Sequence, residues 1–459
     1  MRVSILSEIK PSKREHKVLD AFIMKLKIGL VKALFEGGID ANVEVHGSVA
    51  RDTWLVGQRD IDTFIVLRHG KGRRDLLRAN EVVKGFVGEG WVEAYAEHPY
   101  VKKEMEGFDV EFIPCFKTEA GKRFTSSTDR TPLHTRFLLP RLTDAIRDEV
   151  RLLKAFTRGI GVYGAEIRVG GFSGYLCELL VLAFGSFEGV LEEAASWGEP
   201  NVIEFGGDLA KVTSEKFIEP LVVVDPVDRN RNVASAVSET TLWTFVAAAR
   251  AFSAKPERRF FFPVVRNISK EDFLAMLESR GSDILFILIP DDDPPVPDSL
   301  WGQLYRVERA LGRVLAERGF RVLRSATWSD EEKRHIFIYE LEAITLPPMI
   351  KKVGPPVRLV KDSENFLETY RRSPDKVSGP GIDGGKWWVE VKRRHVFSSS
   401  FLRDALGIGC EESGVPKRLA DLLRANGSVL INEEIECQLD GRFPSFLDGF
   451  LRGGPDWLE

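Results

Sequence analysis

The chain has 459 residues, 43% hydrophobic and 29% charged, a water-soluble globular balance over too much length for one core, so about three domains of roughly 150 residues are expected. No stretch approaches the ~20 uninterrupted apolar residues of a membrane span, and the apolar run at the N-terminus is too short for a secretory signal. Cys115, Cys177, Cys410 and Cys437 lie far apart without a CxxC pair, and the histidines are scattered, so neither a disulfide framework nor a zinc cluster is indicated and a reducing cytoplasm is expected.

Residues 12 to about 36 have the period of an amphipathic helix, with Val18, Phe22, Met24, Leu26, Leu30 and Leu34 among its apolar positions. Val43-Glu-Val-His-Gly-Ser48 reads as a short strand entering a Gly-Ser turn. Asp60-Ile-Asp-Thr-Phe-Ile-Val-Leu67 starts with alternating carboxylates and ends apolar, as a strand does when its start faces a site and its end enters the core. A helix over about 73–89 and strands around Val92–Ala96 and Phe108–Pro114 complete one mixed α/β unit. The pattern then turns helical over Leu142–Arg158, Gly174–Phe184 and Ser235–Ala254, and Arg259-Phe-Phe-Phe-Pro263 reads as a boundary. Beyond it, strands at Asp283–Pro290, Phe320–Ser325 and His335–Glu342, with a helix at Ser299–Arg318, have the order of a small βαβ-type sandwich. The net charge is −4, yet residues 351–394 hold 11 Lys/Arg against 6 Asp/Glu, so 350–397 stands out as a basic insertion carrying Trp387 and Trp388.

Asp60 and Asp62, two residues apart on a strand, point to the same side. Carboxylates that close repel unless a positive charge lies between them, and a hard divalent cation is the natural one. Asp109 and Glu111 repeat the spacing on a second strand and are candidates for a third ligand. Gly47 lets backbone N–H groups approach a phosphate, and the Ser48 hydroxyl adds a donor. Phosphate, divalent metal and three carboxylates together point to nucleotidyl transfer. No GxxxxGK[ST] loop occurs, and no GxGxxG follows a strand, so ATPase and dehydrogenase readings lack their usual signal.

His46-Gly-Ser-Val-Ala-Arg-Asp-Thr-Trp-Leu55 with Asp60-Ile-Asp62 resembles the head of the archaeal (class I) CCA-adding enzymes, in the polymerase β-type nucleotidyltransferase superfamily. Tyr95-Ala-Glu-His-Pro-Tyr-Val101, Ile113-Pro-Cys115, Asp129-Arg-Thr-Pro-Leu-His134, Glu149-Val-Arg-Leu-Leu-Lys154, Gly161-Val-Tyr-Gly-Ala-Glu166, Gly171-Phe-Ser-Gly-Tyr-Leu-Cys-Glu178 and Asp225-Pro-Val-Asp228 follow in the family's order. Arg231-Asn-Val233 closes that series, and Arg324-Ser-Ala326, Gly354-Pro355 and Gly385-Lys-Trp-Trp388 extend it more thinly. The chain departs from the family at the third metal carboxylate, where an aspartate is usual and Glu111 stands; Asp109 is the alternative.

The resemblance implies a metal site of Asp60, Asp62 and Glu111 for Mg²⁺. It also implies that Ser48 and Arg51 hold the triphosphate, that Thr131 and His134 lie around the nucleotide, and that Lys154 and Tyr163 add a charge and a hydroxyl. Arg231 would read the base, with Asp225 and Asp228 shaping its loop, while Glu97 and His98 would position the primer's 3′ end. The basic insertion, with Lys386, Trp387 and Arg393, would hold the tRNA acceptor stem and TΨC arm, an A-form duplex recognised through phosphates and 2′-hydroxyls. One tryptophan is expected to be buried and the other to meet RNA.

The expected fold is α+β: a polymerase β-like head over 1–139, a helical neck over 140–258, and an RRM-like body over 259–349 and 398–459 interrupted by a tail over 350–397. The expected activity is template-independent addition of C, C and A to tRNA from CTP and ATP, with pyrophosphate release by two-metal in-line transfer, in a cytoplasmic homodimer. A poly(A) polymerase or oligoadenylate synthetase shares the Gly-Ser and DxD core, and a catalytically inactive tRNA-binding homologue would keep the scaffold alone.

Overall fold

The computed structural model describes residues 1–68, 72–95, 99–117, 127–198, 201–203, 217–407 and 414–458. The chain divides into two compact units, Met1–Val264 together with Pro455–Glu459, and Val265–Gly454.

In the first unit, α1 (Arg2–Ile9) precedes α2 (Lys13–Glu36). Ser12 opens α2 with a capping box: its hydroxyl accepts from the Glu15 N–H and the Glu15 carboxylate accepts from the Ser12 N–H. Leu19, Phe22, Leu26, Leu30 and Leu34 form the buried stripe of α2. Val18 and Met24, counted among its apolar positions from sequence, face outward at 53% and 67% exposure.

There follow β1 (Ala41–Val45), the one-turn helix α3 (Gly47–Arg51), β2 (Asp60–Leu67), α4 (Arg73–Val87), β3 (Val92–Tyr95), β4 (Pro99–Met105) and β5 (Phe108–Phe116). The five strands form one sheet in the order β1-β2-β5-β4-β3. Strand β4 was not legible in the sequence, because Lys102-Lys-Glu104 interrupts its apolar alternation. The expected Gly-Ser turn is the first turn of α3. Strands β2 and β5 run parallel with Asp60 level with Asp109 and Asp62 level with Glu111. Their alternate residues, Ile61 and Val110, are buried with the apolar faces of α2 and α4, so the carboxylates occupy the opposite face.

Next come α5 (Thr131–Leu138), α6 (Asp144–Gly159), α7 (Gly174–Phe184), α8 (Phe187–Ala195), β6 (Asn201–Ile203), β7 (Leu221–Asp225), β8 (Asp228–Asn232) and α9 (Glu239–Ala254). The Thr-Pro-x-His segment is the start of α5, with Pro132 in its first turn, where a missing N–H costs nothing. The helical core is built on phenylalanines: Phe156 meets Phe187, Phe245, Phe252, Phe260 and Phe261 with ring centroids 5.5–6.2 Å apart. Trp457 stacks on Phe260 at 5.8 Å. Residues 259–264 and the segment from Pro455 therefore belong to this unit, whereas the sequence reading assigned both to the body. The Arg259–Pro263 run reads as a boundary in the sequence, but its aromatic rings supply core to the first unit.

The second unit contains α10 (Lys270–Arg280), β9 (Asp283–Pro290), α11 (Pro297–Glu317), β10 (Val322–Ser329) and β11 (Arg334–Leu341). A separate group follows: β12 (Met349–Pro356), α12 (Val360–Arg371), β13 (Lys376–Asp383) and β14 (Lys386–Lys392). The unit ends with α13 (Ser398–Gly407), α14 (Lys417–Asn426), β15 (Ser428–Ile431) and α15 (Phe443–Arg452). Its main sheet has the order β10-β11-β9-β15 with antiparallel neighbours, so β9 and β10 are parallel, linked by α11 and separated by β11. The basic insertion is its own three-stranded sheet, β12-β14-β13, with α12 against it. Trp387 and Trp388 are both half-buried on opposite faces of β14, so neither is the fully buried partner expected. The Trp388 ring lies against Gly381 and under Lys351, whose Nζ is 5.0 Å from its centroid. Among the described residues no single helix is long and apolar enough to cross a membrane.

Candidate active site

The site of the first unit is built where β1 ends and α3 begins. Gly47 has a φ of +68°, which glycine adopts without strain, and the chain turns there to bring α3 over the carboxylate face of β2. The Asp62 carboxylate occupies the space a side chain at 47 would need: a Cβ there would stand 1.7 Å from Asp62 Oδ2. Ser48 is half-buried on the same turn, and Arg51 ends it.

The carboxylates crowd one another. Burial pushes Asp62 up to about 6, and Glu111 beside it and then Asp60 add to the rise, against Arg51 and Lys102. Loss of water, then Asp109, raises Asp60. Each aspartate of the pair thus has its own partner on β5, at the same level of the parallel register. In this structure the Glu111 carboxylate is ion-paired with Lys102. Among the described residues no three His, Cys, Asp or Glu side chains close into a finished metal cage. The donor chemistry nevertheless fits a hard divalent ion: oxygen ligands only, on one face, with burial and mutual repulsion favouring protonation despite Arg51 and Lys102.

Behind Arg51 lies a buried charged cluster. Arg51 is 6% exposed, and Lys154 and Glu178 are fully buried. The Lys154 ammonium donates to the Thr53 carbonyl at 3.1 Å and to Thr53 Oγ1 at 3.0 Å, and lies 3.4 Å from Glu178 Oε1. Arg51 Nε stands 2.9 Å from Glu178 Oε2. Tyr163 is close by, since a Cβ on Gly174 would stand 3.1 Å from its hydroxyl and 3.4 Å from Lys154 Nζ.

A second network surrounds Asp225 at the end of β7. Arg231 Nη1 donates to its Oδ2 at 2.8 Å, His134 Nε2 lies 2.9 Å from the same oxygen, and the Tyr175 hydroxyl donates to Oδ1 at 3.2 Å. The Val227 N–H donates to Oδ1 as well. Burial would raise this carboxyl, but the hydrogen bonds from His134, Val227 and Arg231 hold it at about 2. His134 stacks on Tyr175 with ring centroids 4.0 Å apart. Asp228 is tied to Arg130 at 2.9 Å. The two networks approach through α5: Thr135 Oγ1 accepts from Arg51 Nη1 at 3.4 Å and lies 3.1 Å from His46 Nδ1, while Thr131 supplies a carbonyl to the Thr135 hydroxyl.

The structure therefore brings Ser48, Arg51, Asp60, Asp62 and Glu111 onto the β2–α3 corner, ties Lys154 and Glu178 behind Arg51, and joins His134 to Arg231 through Asp225. Glu97 and His98 lie outside the described residues. Lys386 is exposed on β14, and Arg393 donates from Nη1 to the Arg318 carbonyl at 3.4 Å while its buried Nε has no hydrogen-bond partner among the described residues.

Three family models match in chain order: a nucleotidyltransferase domain over residues 27–134, the second domain of tRNA nucleotidyltransferase over 148–262, and the C-terminal domain of the CCA-adding enzyme over 280–432. The CCA-adding enzyme of Methanothermobacter thermautotrophicus is 37% identical over 98% of this chain and 97% of its own length. The chain belongs to the CCA-adding enzyme family. Those of Pyrobaculum islandicum and Pyrobaculum aerophilum are each 40% identical, over 87% and 92% of this chain and 92% and 97% of their own. As a family member it has the polymerase β-like nucleotidyltransferase domain, the second domain and the C-terminal domain of a mixed α+β enzyme.

Sequence reasoning gave no role to Glu178, Thr53, Thr135 or Tyr175. Glu178 did carry a signal: it is the one charged residue of α7, GYLCELLVLAF, and a carboxylate in so apolar a helix needs buried partners.

Proposed function

We propose that the chain adds C, C and A in turn to the tRNA 3′ end, from CTP and ATP and without a nucleic-acid template, releasing pyrophosphate. The observation that carries this reading is the carboxylate face of β2 and β5 set against the Gly47–Arg51 turn. Asp60, Asp62 and Glu111, with Asp109 as the alternative to Glu111, are the residues that would hold Mg²⁺. The chemistry a bound Mg²⁺ supplies is activation of the primer hydroxyl and screening of the charge on the triphosphate.

Ser48 and Arg51 take the triphosphate, both as donors to phosphate oxygens. Lys154 directs its three N–H bonds to Thr53 and Glu178, so its contribution is charge from behind Arg51, with Tyr163 alongside. Thr131 and His134 flank the nucleotide, and Arg231, aimed by Asp225, reads its base. Glu97 and His98 attend the primer end.

The strand order β10-β11-β9-β15 supports an RRM-like body interrupted by a tail over 350–397, and the head and neck of this reading divide near residue 139. Lys386, Trp387 and Arg393 of the tail and its border hold the acceptor stem and TΨC arm. A cytoplasmic homodimer completes the reading on the family resemblance alone, and light scattering of the purified protein tests the dimer.

The decisive experiment supplies labelled CTP and ATP, separately and together, to tRNA lacking its CCA end, with Mg²⁺ or with EDTA. Ordered addition that stops after CCA and vanishes in EDTA is the expected result. Long A-tails without C would move the chain to the poly(A) polymerases, and tRNA binding without incorporation would make it an inactive homologue.

A further inference from the structure

We propose that Glu178 is a positioning residue of the triphosphate site, a role that rests on the nucleotidyl-transfer reading above. Its carboxylate, wholly buried on α7, faces cations from two other elements, Arg51 at the end of α3 and Lys154 in α6. Thr53 closes the cluster: its hydroxyl donates to Glu178 Oε1 and accepts from Lys154, whose remaining protons go to the Thr53 carbonyl and to Glu178. Lys154 is thereby saturated within the cluster.

Arg51 is not saturated. Among the described residues its buried Nε is ion-paired with Glu178 at 2.9 Å but makes no well-directed hydrogen bond, and its Nη1 reaches Thr135 Oγ1 at a long 3.4 Å. A buried guanidinium with donors to spare, on the same short helix as Ser48, suits the paired oxygens of a phosphate. Two cations against one carboxylate leave the cluster at a single positive charge, enough to attract an anion and little enough to bury.

Glu178 also decides the state of Lys154. The groups facing that ammonium are Arg51, Glu178, Cys177 and the Tyr163 hydroxyl. Burial pushes the Cys177 thiol up to about 12 and the Tyr163 phenol above its ordinary range, so Glu178 is the one ionised acid among them. Burial pulls Lys154 down, Arg51 pulls the same way, and Glu178 opposes both.

The test is Glu178→Gln, which keeps the shape and the hydrogen bond to Thr53 but removes the charge, assayed by CTP incorporation onto tRNA lacking CCA. With Arg51 no longer held, KM for CTP is expected to rise about tenfold while kcat at saturation changes little. KM should also worsen further on the alkaline side, at a pH below any such change in the unsubstituted enzyme, as unpaired Lys154 loses its proton. The double variant Glu178→Gln/Lys154→Met buries one unpaired cation, Arg51, where the single variant buries two, and carries the test if the single variant fails to fold; it should keep the raised KM and lose the alkaline change. A KM and pH profile superimposable on those of the unsubstituted enzyme in a folded variant would overturn the role of Glu178. Failure of the unsubstituted enzyme to incorporate CTP would instead remove the nucleotidyl-transfer reading beneath it.

Discussion

The Asp62 carboxylate fills the place where residue 47 would otherwise carry a side chain. Gly47 is thus required twice, for its positive φ and for the room it leaves to an acid of the site. Gly47→Ala adds a left-handed strain of about 1–2 kcal/mol and forces Asp62 aside. Incorporation should fall by about a hundredfold or more, as a displacement of roughly an ångström does to reacting groups, while the melting temperature falls only modestly. A variant with near-normal kcat would mean that Asp62 does not need its present position.

The paired register of β2 and β5 separates the two candidates for third ligand. Glu111 is level with Asp62, the aspartate whose proton is held most tightly, and Asp109 is level with Asp60 at the exposed start of the strands. Glu111→Gln is expected to lower kcat/KM by more than the about 10–100-fold that loss of an outer-shell metal partner costs. Asp109→Asn should cost less than that. Titrating activity against Mg²⁺ ranks the two, and a larger loss at Asp109 would reverse the assignment.

Asp225 gathers His134, Arg231 and Tyr175 on one carboxylate. Asp225→Asn keeps the size but weakens charge-assisted bonds of about 1.5–3 kcal/mol each in context. The expected outcome is a loss of discrimination, read as the ratio of kcat/KM for CTP and ATP at each step, drifting by about tenfold. An unchanged ratio with lower overall activity would make Asp225 a purely structural residue.

The second unit holds its own buried ionic centre. Glu340 accepts from Arg280 at 2.9 and 3.1 Å, from the Ser282 hydroxyl at 2.6 Å, and from Arg324. Burial opposes ionisation, but these bonds hold the carboxyl at about 2, below its ordinary 4.5. A depressed carboxyl contributes stability that is full above the ordinary value and lost as pH falls toward the folded one. Acid unfolding of this unit between about pH 4.5 and 2 should therefore be steeper in the native chain than in Glu340→Gln, followed by near-ultraviolet circular dichroism. Superimposable acid profiles would show that Glu340 does not contribute in this way.

Much of this was legible in the sequence where one face of an element is apolar and the other is not. The strand at Asp60–Leu67 announced both its core side and its site side, and the helices at 12–36, 142–158 and 174–184 followed their period. Strand β4 escaped because charges at Lys102-Lys-Glu104 break its alternation, although Lys102 is needed opposite Glu111. The Arg259–Pro263 run reads as a boundary between units, but only contacts distant in sequence reveal that its phenylalanines are core of the first. Arg51 meets Thr135, Lys154 meets Thr53 and His134 meets Asp225 across 84, 101 and 91 residues of chain. Spacing along the chain carries no information about such pairs, and the resemblance supplied the residues without their connections.

Trp457 stacked on Phe260 gives the chain an order of assembly. During synthesis the helical core of the first unit emerges early, yet it lacks one of its rings until nearly two hundred further residues have been made. Domains fold in the order in which they leave the ribosome, so the second unit can fold while the first still has an open aromatic seat. The aromatic core of the first unit is closed by a segment made after the second unit, so a chain cut short before Trp457 would keep that core one ring short.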